Sequence, residues 1–89
     1  MIPVQAGMRI LTVEQIAELT DERFGAYRRK MHDTRRAVHE NGMSEEIRAL
    51  DYLCNAVFRE KAKREALLDE RYKRGEISLD EWDLLFKKL

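Results

Sequence analysis

Eighty-nine residues make at most one domain, and one whose core leaves little surplus once ordering has cost about 1.5 kcal/mol per residue. Lys plus Arg and Asp plus Glu are equal at 17 each, with 38% of residues charged and 44% hydrophobic. That balance suits solvated helices; it argues against a protein that coats nucleic acid by its overall charge, and against an acidic nucleic-acid mimic.

The expected fold is all-α: a helical hairpin over about 21–40 and 45–74, a short first helical turn before it, and a short C-terminal helix over 79–88. Residues 1–11 carry Ile2, Val4, Met8, Ile10 and Leu11 without a period and predict an extended arm, leaving 12–89 as one helical domain. Thr12 and Gln15 form a capping box for the first turn, which reaches about Leu19. Thr20, followed by Asp21 and Glu22, starts the second helix, with Leu19 and Phe24 as its hydrophobic staple and Asn41-Gly42 as its stop. Phe24, Tyr27, Met31, Thr34 and Val38 make one narrow seam along it.

Ser44 caps a third helix that can run to Arg74 before Gly75, roughly 45 Å at 1.5 Å per residue. Ile47, Leu50, Leu53, Cys54, Val57 and Phe58 form its broad apolar stripe. The stretch Arg59-Glu60-Lys61-Ala62-Lys63-Arg64-Glu65 is almost wholly charged, and Leu68 with Tyr72 resumes the apolar face. Ser78 and Glu81 form a second capping box, with Ile77 and Trp82 as its staple. Trp82, Leu85, Phe86 and Leu89 then follow at helical spacing.

Residues 67–89, LLDERYKRGEISLDEWDLLFKKL, resemble the short C-terminal module called SHOCT. That module has a helix ending in a Lys/Arg-Gly-x-Ile/Leu turn, a Ser/Thr-x-x-Glu start with an aromatic, and a closing apolar helix. The matching positions are Leu68, Tyr72, Gly75, Ile77, Ser78, Glu81, Trp82 and Leu89. The resemblance covers about a quarter of the chain and implies a role in association rather than chemistry.

No constellation points to catalysis, so the chain is expected not to be an enzyme. His32 and His39 lie two turns apart, roughly 10 Å along the axis, too far for one metal ion. Cys54, the single cysteine, sits amid apolar neighbours and reads as an inert small hydrophobe. No cofactor or metal is expected. The N-terminus lacks the pattern of a signal peptide, and no apolar run approaches the ~20 residues of a membrane span. A cytoplasmic setting and no membrane contact are the expectation.

One feature stands out on the second helix. Arg28, His32, Arg35 and His39 fall within about 60° of one another, with Arg36 at the edge, beside the seam of Tyr27 and Met31, while Asp33 and Glu40 are expected on the other side. Such a face suits nucleic acid or a phosphorylated ligand unless neighbouring carboxylates neutralise it. The final helix carries more apolar surface than Leu68 and Tyr72 can bury. Leu68, Tyr72, Trp82, Leu85, Phe86 and Leu89 are therefore expected at an interface, a symmetric homodimer being favoured. The expectation is a helical adaptor that self-associates and binds a protein partner. A nucleic-acid or phosphate binder acting through the Arg28 face is the alternative.

Overall fold

Thr12 accepts a hydrogen bond from the Gln15 amide at 3.1 Å, while the Gln15 side chain accepts from the Thr12 amide at 2.9 Å. This box satisfies amides that the first turn leaves free. It opens α1, Val13–Glu18. Thr20 caps Arg23 in turn and starts α2, Asp21–Asn41. α3, Ser44–Lys73, and α4, Leu79–Lys88, complete the order. The computed structural model describes residues 8–41 and 44–89. Ile2 and Val4 of the arm, the Gly42 stop and the Ser44 cap side chain lie outside what it describes. Four helices and no strand are present among the described residues, an all-α fold in the expected order.

α2 and the first half of α3 pack side by side. Phe24, Met31 and Val38 from α2 meet Leu50, Leu53, Cys54 and Val57 from α3, all buried. Ile16 of α1 and Met8 of the arm close one side of this core. The arm is docked where it is described: Tyr27 Oη donates to the Arg9 carbonyl at 2.7 Å and accepts from the Leu11 amide at 3.1 Å. Burial, partly offset by that amide, raises the pKa of the Tyr27 phenol.

α3 ends in a Schellman turn. The Glu76 amide reaches the Arg71 carbonyl, the Gly75 amide reaches that of Tyr72, and Gly75 takes φ +76°, a left-handed conformation a side chain would strain. Ile77 is buried just beyond it. The Ser78–Glu81 capping box then launches α4. α4 packs against both α3 and α2, so the C-terminal hairpin folds back onto its own chain. Leu68 and Leu89 become core residues, 5% and 2% exposed.

Two apolar residues depart from the expected stripe. Phe58 is 52% exposed and Tyr72 43%. α2 and α1 together cover a narrower sector of α3 than its six apolar residues span. Phe58 falls at the uncovered edge, and Tyr72 sits about 40° round from Leu68, near the end of the helix.

The charged middle of α3 is not simply solvated. Arg64, its side chain only 10% exposed, donates to the carbonyls of Ile16, Ala17 and Leu19 at 3.2, 3.4 and 2.6 Å. The same guanidinium pairs with Asp21 at 2.9 Å and Glu60 at 2.7 Å and lies 4.5 Å from the centroid of the Phe24 ring. It therefore caps the C-terminal end of α1 and ties the α1–α2 junction to α3, satisfying carbonyls that a helix end leaves free.

Candidate functional site

Two surfaces gather the residues singled out by sequence. The first is at the α3–α4 hairpin. Because the Schellman turn and capping box hold α4 antiparallel to the end of α3, Trp82 faces α3 one turn into its helix. Its indole Nε1 donates to Asp69 Oδ1 at 2.8 Å, and its ring stacks on Phe86 with centroids 4.8 Å apart and planes 25° from parallel. Trp82 is thus half-buried and polar-tethered, not the buried anchor of the hairpin; Ile77 and Leu89 fill that place. Beside it opens a cleft of about 220 Å³ lined by Asp69, Tyr72, Lys73, Leu79 and Trp82, with Leu79 59% exposed. Of the six residues expected at an interface, Tyr72 and Trp82 border this cleft. Leu85 and Phe86 are half-buried against the core. Leu68 and Leu89 are enclosed by their own chain and unavailable to a partner.

The second surface is the cationic face of α2. His32, Arg35, Arg36 and His39 line one open hollow of about 370 Å³, so the structure brings four of the five predicted residues together. Glu40 lines it too, contrary to the expectation that it would lie on the other side. It sits about 40° beyond Arg36, close enough to share the rim. Arg28 lies elsewhere: its Nε donates to the main-chain oxygen of Leu89, joining α2 to the end of α4. Arg35 is also engaged, with Asp51 Oδ1 at 2.8 Å from one guanidinium nitrogen and 3.0 Å from Nε and a longer contact of 3.8 Å to Cys54 Sγ. Arg36 and His39 are exposed.

His32 meets Phe58 edge-on at 6.3 Å. Burial, then the positive charges of Arg28 and Arg35 and more weakly Lys61, outweigh Asp33 and hold the imidazole below its ordinary pKa of 6.5. The unfolded chain therefore takes up this proton first. The stability tied to His32 is full above about pH 6.5 and is lost as pH falls through the lowered value. Urea unfolding at about pH 7.5 and pH 5 should show a smaller difference between the two for His32→Gln than for the parent. An equal difference would place the acid sensitivity elsewhere.

Among the described residues no three His, Cys, Asp or Glu side chains are gathered as a metal would need, and no helix is long and apolar enough to cross a membrane. Comparisons with protein-family models, curated proteins and solved structures return no match. The likeness of residues 67–89 to SHOCT rests on those residues alone.

Proposed function

We propose that this chain is a small non-enzymatic adaptor that self-associates and binds a protein partner through the α3–α4 cleft. The observation that carries this reading is the pair of exposed apolar side chains that meet there. Tyr72 and Leu79, two of the eight large ones exposed among the described residues, border the cleft with Trp82. Aromatic walls around a preformed apolar hollow are what interface anchors use, and the SHOCT-like pattern implies association as well. The Asp69 carboxylate already accepts from the indole, which suits a binding surface better than acid–base work. A cytoplasmic setting goes with this reading, since Cys54 has no second cysteine in the chain to pair with.

Light scattering at tens of micromolar tests it. A dimer mass that survives high salt is expected, falling to a monomer in Tyr72→Ser with Leu79→Ser at unchanged helicity. A monomer mass for the parent would sink self-association, and a dimer untouched by the double variant would move the interface off the cleft.

A second reading, an anionic ligand held by α2, is favoured by the hollow that joins His32, Arg35, Arg36 and His39. It is weakened by Glu40 on its rim and by the Arg35–Asp51 pair. Arg36→Glu with His39→Glu tests it without disturbing those contacts: affinity for inorganic phosphate or a phosphopeptide should vanish while the fold persists.

A further inference from the structure

The solvent face of α3, away from both surfaces above, carries a run of cations that neutral overall charge conceals. At 100° per residue, Arg48, Tyr52, Asn55, Arg59 and Lys63 fall within a sector of about 80°, and all five are exposed. Asp51, Glu60 and Glu65, the acids between positions 48 and 66, project outside that sector; Asp51 is held by Arg35 and Glu60 by Arg64. Glu45 and Glu70 bound the stripe at its two ends, Glu70 being paired with Arg74. Arg48, Arg59 and Lys63 have no ion-pair partner among the described residues.

Tyr52 stands among these cations 73% exposed, more than any other large apolar side chain described. One turn on, Ala56 and Val13 wall a hollow of about 280 Å³ whose rim is Arg59, Lys63 and the Arg64-bound Glu60. An exposed ring, an apolar hollow and exposed cations in one line match what an unpaired strand presents: bases with flat apolar faces, linked by phosphates.

We propose that the outer face of α3 binds single-stranded nucleic acid, Tyr52 stacking on one base, the hollow at Ala56 receiving another, and Arg48, Arg59 and Lys63 meeting the phosphates. The binding is weak and independent of sequence, as three cations and one ring dictate, and it needs neither the α2 hollow nor the α3–α4 cleft.

Fluorescence anisotropy with a labelled oligothymidylate tests this on the full chain. The expected dissociation constant is on the order of tens of micromolar at low salt, with a log–log salt slope of about −2 from three phosphate contacts. Arg48→Glu, Arg59→Glu and Lys63→Glu together should abolish binding at unchanged helicity. Tyr52→Ala should weaken it roughly tenfold and Tyr52→Phe should restore it. Lys87→Gln on α4, an exposed cation outside both surfaces and this face, should change nothing. Absence of saturable binding at low salt would overturn the proposal, as would a triple variant that binds like the parent. Equal affinity for polyglutamate with no effect of Tyr52→Ala would overturn it too, in favour of an acidic protein segment as the occupant.

Discussion

Gly25→Ala should destabilise this protein by about 2–5 kcal/mol, although the same change in a solvated helix stabilises it by up to about 1 kcal/mol. Gly25 lies in α2 where the end of α4 arrives, and a Cβ built there would overlap the Lys88 carbonyl oxygen and crowd the Arg29 guanidinium. The obstacle is backbone and cannot rotate away. α4 must lift, exposing Leu89, now 2% exposed, and breaking the Arg28 bond to its main-chain oxygen. Burial of one leucine is worth about 1.5–3 kcal/mol and a bond to a charged donor about 1.5–3; the better helix propensity of alanine returns part of this. Denaturant midpoints and amide exchange along α4 check the effect. Removing Lys88 and Leu89 supplies the control: in that background Gly25→Ala should turn neutral or stabilising, since the clash is gone. A destabilisation that persists there would refer the effect to α2 itself.

The second large effect is expected at Arg64. Arg64→Met keeps an unbranched apolar side chain but takes the guanidinium off the Phe24 ring. It leaves the Ala17 and Leu19 carbonyls of the α1 end without this donor, the Ile16 carbonyl keeping only the Leu19 amide. It also strands Glu60, whose side chain is 11% exposed, without its partner. Removing one member of a buried charge network costs about 3–5 kcal/mol, mostly through the charge left behind. Arg64→Lys should recover only part of it, because an ammonium cannot fork between Asp21, Glu60 and the Leu19 carbonyl at once. Arg64→Met combined with Glu60→Gln should be less damaging than Arg64→Met alone. Urea unfolding ranks the four proteins, and faster amide exchange confined to α1 and the first turn of α2 would identify the lost cap. A cost below about 1 kcal/mol for Arg64→Met would mean that α1 is held by Ile16 alone.

The contrast between these residues shows what the sequence makes legible. Helix starts were readable because their chemistry is local: Thr12 with Gln15 and Ser78 with Glu81 need only three residues of context, and both boxes form. The seam of α2 was equally readable, since Phe24, Met31 and Val38 repeat at the helical period. Arg64 was missed, though it left a trace. It occupies the place between Val57 and Leu68 where the apolar row of α3 should continue, and an arginine in a core position calls for several acceptors. Gly25 left only a mid-helix glycine without an obvious purpose, and its reason lies more than sixty residues away in the chain.

The candidate surfaces were legible in residue type and misread in surroundings. Periodicity placed Arg28 and Arg35 on one face of α2, but it could not show that one meets the end of α4 and the other Asp51. Likewise the apolar residues of α4 were visible, whereas their division between core and cleft depends on α2 lying beneath Leu89. The α3 stripe escaped notice because the acids between its members, read along the chain, mask a face that only the helical geometry separates.

α3 runs thirty residues without a break, and both ends of what it carries are moored to the same neighbour. Arg64 fastens its middle to the start of α2, and Gly75 returns α4 so that Lys88 meets Gly25, four residues further along that helix. A single residue inserted between Arg64 and Leu68 would turn everything after it through about 100° and advance it 1.5 Å, swinging α4 off its seat. Seven residues would restore the angle to within about 20° but slide α4 some 10 Å past it. This helix is therefore a gauge whose length is fixed by two clamps. Chains that share the fold should hardly vary in length between Arg64 and Leu89.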